Sequence, residues 1–174
     1  SQNLFPALLQ KNLPLYGHVA SGYWRDVGNI AEYRQAHWDA LKGNVKVDVD
    51  GERLNLIGQD IWVGKGSSIH ARNTNLSGAV ILGRNVKVGA GTHLHDVVIG
   101  DNCQIGQNAF IGHSIVWADS TIGDSARVDG AIICDGVRIS EGAGVEQNAI
   151  ISSQVQIGAR AQVLENIKIW PGKV

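Results

Sequence analysis

Methionine is absent from all 174 residues, and only two cysteines occur. A complete translated chain scarcely avoids methionine without processing, and this one begins Ser1-Gln2-Asn3, so a fragment is expected. Cys103 and Cys134 fall in different repeats at different positions, which argues against a structural disulfide and for a reducing cytoplasm. Both are expected to be small buried or half-buried residues. There is no excess of charge: 15 Lys and Arg stand against 16 Asp and Glu, a net charge of −1, and this points away from nucleic acid and membrane surfaces. No apolar run approaches the ~20 residues needed to cross a bilayer, and no charged leader precedes one. With 44% hydrophobic residues, the chain has the composition of a soluble globular protein of one large or two small domains.

What is present is a repeat. An aliphatic column runs Val63, Ile69, Leu76, Leu82, Val88, Leu94, Ile99 and onward to Ile169, nearly always in steps of six. The five-residue steps start at Leu94, Ile111 and Val128, once per three anchors, so a shortened side stacks on itself. Six is neither the 3.6 period of a helix nor a long alternation of two. It predicts short strands joined by corners, three to a coil, in roughly six coils stacked ~4.8 Å apart. Corners need residues that tolerate positive φ. The third position after the anchor supplies Gly66, Asn85, Gly91, Asn102, Asn108, Gly136, Gly142, Asn148, Asn166 and Gly172.

Residues 1–43 follow another grammar. Asn3 is placed to cap a short helix over 5–10 with Pro6 in its first turn, and Leu15 to Ala20 reads as a strand. Asn29 caps a second helix through Leu41, with Ile30, Tyr33, His37 and Leu41 on one face and Gly43 as terminator. His37 is expected to be a packed histidine. Residues 44–59 alternate at Val45, Val47 and Val49, turn at Asp50-Gly51, and resume at Leu54, which predicts a β-hairpin connector. Residues 60–174 are the repeat. Its last unit, Ile169 to Val174, carries no cap, which suggests truncation there too.

The residue before each anchor should face outward. One face reads Lys87, Gln104, Thr121, Arg138, Gln156, and a second reads His93, Phe110, Arg127, Gly144, Gln162. The third reads Trp62, Ile81, Val98, Ile115, Ile132, Ile150, an exposed aliphatic ladder of the kind that marks an interface. A neighbouring protomer and the helix at 29–41 are both candidates to cover it. A register error would instead make this ladder core, but it would also turn Trp117 into a narrow prism.

Units such as Ile105-Gly106-Gln107-Asn108-Ala109-Phe110 resemble the left-handed parallel β-helix of the hexapeptide-repeat families. The left hand follows from that resemblance alone, since crossovers are ordinarily right-handed. The segment Gly22-Tyr23-Trp24-Arg25-Asp26-Val27-Gly28, followed by a helix and then hexads, resembles the end of the catalytic domain of sugar-nucleotide pyrophosphorylases, most closely the mannose-1-phosphate guanylyltransferase type. The resemblance implies a mainly β chain: a small α/β remnant of a nucleotidyltransferase domain (1–43), a connector (44–59) and a left-handed β-helix (60–174). It implies a parent enzyme that joins a nucleoside triphosphate to a sugar 1-phosphate. It also implies that Asp26 helps to hold Mg²⁺ there, that the β-helix organises homo-oligomers or domains, and that an N-terminal catalytic domain is the partner.

The Gly-x-Gly-Thr-Arg-Leu nucleotide loop and the second metal-binding Asp are missing from residues 1–174. This chain alone is therefore expected to make no nucleotide sugar and to need no cofactor. Two rivals share the coil. A hexapeptide acyltransferase would use a His as base, with His70, His93, His95 and His113 available, but no long loop interrupts the hexads. A γ-class carbonic anhydrase would need three imidazoles on zinc, for which His93, His95 and His113 could serve, but its His-x-x-x-x-His pair is absent. Lys65, Arg84 and Lys87 could form a small anion site, although isolated surface cations are commonplace.

Overall fold

Short sides and left-handed corners build the body of the molecule outward from the anchor column. In the computed structural model, which describes residues 2–56 and 59–174, every anchor from Leu82 to Val163 is buried in one continuous core. Val63, Ile69, Leu76 and Ile169 pack against it from the two ends. Each such side chain contributes roughly 1.5–3 kcal/mol before chain entropy is subtracted. Two-residue strands such as Lys87–Val88, Gln104–Ile105 and Thr121–Ile122 pair in parallel and make one face a six-stranded sheet. The other two faces form one 12-stranded sheet, because Asn75–Leu82 and His93–Ile99 run through the corner between them. The result is a parallel β-solenoid.

A second inward column lies two residues before most anchors, and its mixed composition hides it from a search for aliphatic period. It includes Val86, Thr92, Cys103, Ala109, Ser114, Ser120, Ala126 and Ala131, none more than 1% exposed. Many are small because they fill the prism beside a corner, although Ile61, Val80 and Val97 are buried at the same position. The polar ones are satisfied: Thr92 Oγ1 donates to the Gly106 carbonyl at 2.7 Å and Ser120 Oγ to that of Cys134 at 3.0 Å, both in the next coil, while Ser114 Oγ donates to the Gly112 carbonyl and accepts from the Ala131 amide.

All ten expected corner residues have positive φ, between 54° and 78°. The restriction to Gly and Asn is too narrow, however, since Asp119, Ser125, Gln154 and Arg160 hold the same position at φ 55–60°. Stacking of coils above and below over-determines these bends. Where the side is shortened, the left-handed residue moves to the second position after the anchor, at Asp96, His113 and Gly130. Gly78 does the same in the first of these stacked corners, where the side keeps six residues and the extra one is taken up by a register shift between Ser77 and Val80.

The amino-terminal region differs from expectation in three places. Helix α1 (Leu4–Gln10) forms, but Asn3 adopts a helical conformation and makes no side-chain cap bond. No strand forms over 15–20, where Tyr16 and Val19 are 91% and 95% exposed; an extended segment without a neighbouring edge has nothing to pair with. Residues 45–49 are not a strand either. The antiparallel pair is β1 (Glu52–Leu56) with β2 (Gln59–Val63), so Asp50-Gly51 is not the hairpin turn. Its register is imposed from the solenoid, because β2 is also the first side and pairs with Ala79–Leu82. Residues 57 and 58 of the connector lie outside the described residues. Helix α2 (Ile30–Leu41) matches its signals: Asn29 accepts from the Glu32 amide at 2.9 Å. Gly43 turns at φ 73°, with its own amide and that of Asn44 donating back to the Ala40 and Asp39 carbonyls.

Candidate functional site

The aliphatic ladder is one continuous register column: Trp62 pairs with Ile81, Ile81 with Val98, then Ile115, Ile132 and Ile150 in turn. Its side chains stand outside the core cluster. Ile115 and Ile132 are nevertheless only 2% and 3% exposed. What lies over them is α2. Trp117 Nε1 donates to Tyr33 Oη at 3.0 Å, and the Arg34 guanidinium donates to Asn148 Oδ1. The Tyr33 ring meets that of Trp117 edge-on. The helix runs lengthwise: Ile30, Ala31 and Arg34 share a groove with Ile132, Asn148 and Ile150, whereas Leu41 and Lys42 share a cavity with Ala79, Asp96 and His113. Twelve helical residues cover ~18 Å, close to four coil spacings of ~4.8 Å. His37 is half-buried on this helix and donates through Nδ1 to the Tyr33 carbonyl at 3.0 Å.

The opposite side of α2 anchors the loop that precedes it. Asp39, 6% exposed, accepts from Tyr23 Oη at 2.8 Å, Gln35 Nε2 at 2.9 Å and Arg25 Nε at 3.1 Å. The Gln35 and Tyr23 hydrogen bonds, with Arg25 beside them, hold its carboxyl below the usual range. Arg25 also pairs with Glu32, which raises its own pKa. Asp26 points elsewhere. It is exposed in an open hollow with Trp24, Arg25, Gly28, Asn29 and Glu32, and it belongs to no group of three potential metal ligands among the described residues. A lone carboxylate beside an arginine, whose one acidic neighbour that arginine already engages, does not fit Mg²⁺.

The remaining candidates separate. Arg84 is taken up by Asp101 at 2.7 Å, so it does not join Lys65 and Lys87 in an anion site. Both cysteines are free, Cys103 buried and Cys134 half-buried. His70 is exposed, and His93 stacks on Phe110 at 5.5 Å. His95 and His113 meet edge-on at 4.9 Å, and Asp96 joins them. The sequence suggested His93 as the third member of this set; the coil register substitutes Asp96, one residue beyond His95.

The fold has relatives. The family model of the EIF2B subunit epsilon LbH domain, a left-handed β-helix, matches residues 59–163. Glucose-1-phosphate adenylyltransferase of Clostridioides difficile (strain 630) is 29% identical over 109 residues, covering 60% of this chain and 27% of its own length. Mannose-1-phosphate guanylyltransferase of Mycobacterium tuberculosis (strain H37Rv) is 28% identical over 106 residues, covering 60% and 28%. The matches thus span about a quarter of these relatives. Among solved structures, GDP-perosamine N-acetyl transferase from Caulobacter crescentus aligns over 94% of this chain and 67% of its own, at 17% identity and a TM-score of 0.47. Among the described residues no helix is long and apolar enough to cross a membrane.

Proposed function

We propose, because this chain belongs to the EIF2B subunit epsilon LbH family, that it is the β-helix-bearing part of a sugar-1-phosphate nucleotidyltransferase and that its work is architectural. In this reading residues 1–43 end a catalytic domain, 44–59 connect, and 60–174 are a scaffold that fixes that domain and organises copies of the chain. The parent reaction joins a nucleoside triphosphate to a sugar 1-phosphate with release of pyrophosphate, GTP and mannose 1-phosphate being the pair suggested by the Trp24-Arg25-Asp26-Val27-Gly28 segment. Any Mg²⁺ would be held mainly by groups outside this chain.

The observation that carries the reading is the seating of α2 on the ladder. The helix that directly follows the Gly22–Gly28 segment lies along four coils, pinned at Tyr33–Trp117 and Arg34–Asn148. A loop tied to that helix through Arg25, Tyr23 and Asp39 is held in a set orientation to the solenoid. The test is an assay of residues 1–174 for pyrophosphate release from GTP and mannose 1-phosphate, with ATP and glucose 1-phosphate as the second pair. Neither pair is expected to react. Turnover by this chain alone would refute the scaffold reading.

A further inference from the structure

Register brings three ligand-bearing side chains to one corner of the solenoid. Ser77, His95, Gly112 and Asp129 stack in one column. The residues that follow them, Gly78, Asp96, His113 and Gly130, all take left-handed φ. Glycine at both ends of this second column means that the bend itself asks for no side chain. The middle two positions nevertheless carry Asp and His, at φ 47° in each case, where a Cβ is disfavoured. Room is made around them: a Cβ on Gly78 would lie 2.1 Å from Asp96 Oδ1 and 3.3 Å from His95 Cε1.

We propose that His95, Asp96 and His113 form a site for a divalent first-row transition cation, for which Zn²⁺ is the natural probe. Two imidazoles and a carboxylate are a donor set for borderline ions rather than for Mg²⁺ or Ca²⁺. Their donor atoms all lie within 4.8 Å of one another. Donors ~2.1 Å from a shared tetrahedral ion are about 3.4 Å apart, so side-chain rotation of little more than an ångström closes the set. The supporting shell is already in position. Ser77 Oγ lies 2.9 Å from His95 Nδ1, and Asp129 Oδ1 lies 3.5 Å from His113 Nδ1, which leaves Nε2 of each ring as the metal-facing nitrogen. His95 Nε2 is 3.6 Å from Asp96 Oδ2, while Asp96 Oδ1 is occupied by the Ala79 amide at 2.9 Å. Asp96 and His113 border a cavity of about 140 Å³ under the end of α2, lined also by Trp38, Leu41, Lys42 and Ala79. A bound ion would clasp two successive coils there.

The experiment titrates the untagged, metal-free chain with ZnCl₂ by calorimetry and with Co²⁺ by visible absorption. One equivalent binds, Co²⁺ gains d–d bands, and Zn²⁺ raises the thermal midpoint. Asp96→Asn and His113→Asn keep side chains that tolerate left-handed φ, yet each weakens Zn²⁺ by tenfold or more, and Asp129→Asn weakens it about tenfold through the lost support. His70→Ala binds as the parent does. Absence of binding at ~0.1 mM Zn²⁺, or unchanged affinity in folded D96N and H113N, overturns the assignment.

Discussion

Burial pushes the Cys103 thiol up to about 11, so almost none of it is thiolate at pH 8. Its Sγ points at the Trp117 carbonyl, 3.1 Å away in the next coil. Iodoacetamide at pH 8 is therefore expected to alkylate the half-buried Cys134 first and to leave Cys103 untouched until the chain unfolds, as read by peptide mass spectrometry. Ser120 stacks at the same position one coil on and makes the same kind of bond. Cys103→Ser should accordingly change stability by less than about 1 kcal/mol, whereas Cys103→Leu overpacks the corner and costs about 1–3 kcal/mol by denaturant titration. Ser125 bends at φ 55° directly after Asn108 in the stack. Ser125→Asn places the better left-handed residue there, and a gain of about 0.5 kcal/mol is expected in the same measurement.

At the scale of elements, the ladder and α2 share one surface. Ile115→Lys with Ile132→Lys should leave the solenoid folded, because both side chains stand outside the core cluster. It should also release α2, seen as faster amide exchange over 30–41 with an unchanged β signal in circular dichroism. Loss of the β signal would mean that the ladder is core. Asp39 makes the loop's attachment pH-dependent. Its folded pKa is depressed, so its contribution is present above the unfolded value of ~3.9 and is lost as pH falls through the folded one. Trp24 fluorescence and exchange over 23–28 should therefore report loosening of the loop below about pH 4, before the solenoid melts. These elements were unevenly legible. Asn29, Leu41 and Gly43 marked α2 because helix termini are decided locally. The expected strand at 15–20 and the hairpin turn at Asp50-Gly51 failed because strands need partners, and the partner of β1 is set by the first coil rather than by its own turn.

Across the whole molecule, each coil contacts only its neighbours, so protection should be graded. Amide exchange is expected to be slowest in the coils between Leu94 and Ile151, and faster over 164–172, where Leu164, Ile167 and Trp170 are exposed. The solenoid itself was readable from sequence because the buried anchor recurs as a large aliphatic about once in six residues and one backbone angle per corner must be left-handed. The chemistry at its surface was not. His93, His95 and His113 are equally plain in the sequence, yet only stacking at the shortened corner reveals that His113 meets His95 and Asp96 rather than His93. The same corner has a consequence for how such a chain tolerates change. The first of these stacked corners has an extra residue, and the ladder absorbs it between Ser77 and Val80 and regains register by Leu82. That one-residue difference in length does not reach the next side, so this edge takes up an extra residue while the prism stays intact. It is the natural point at which to graft a loop.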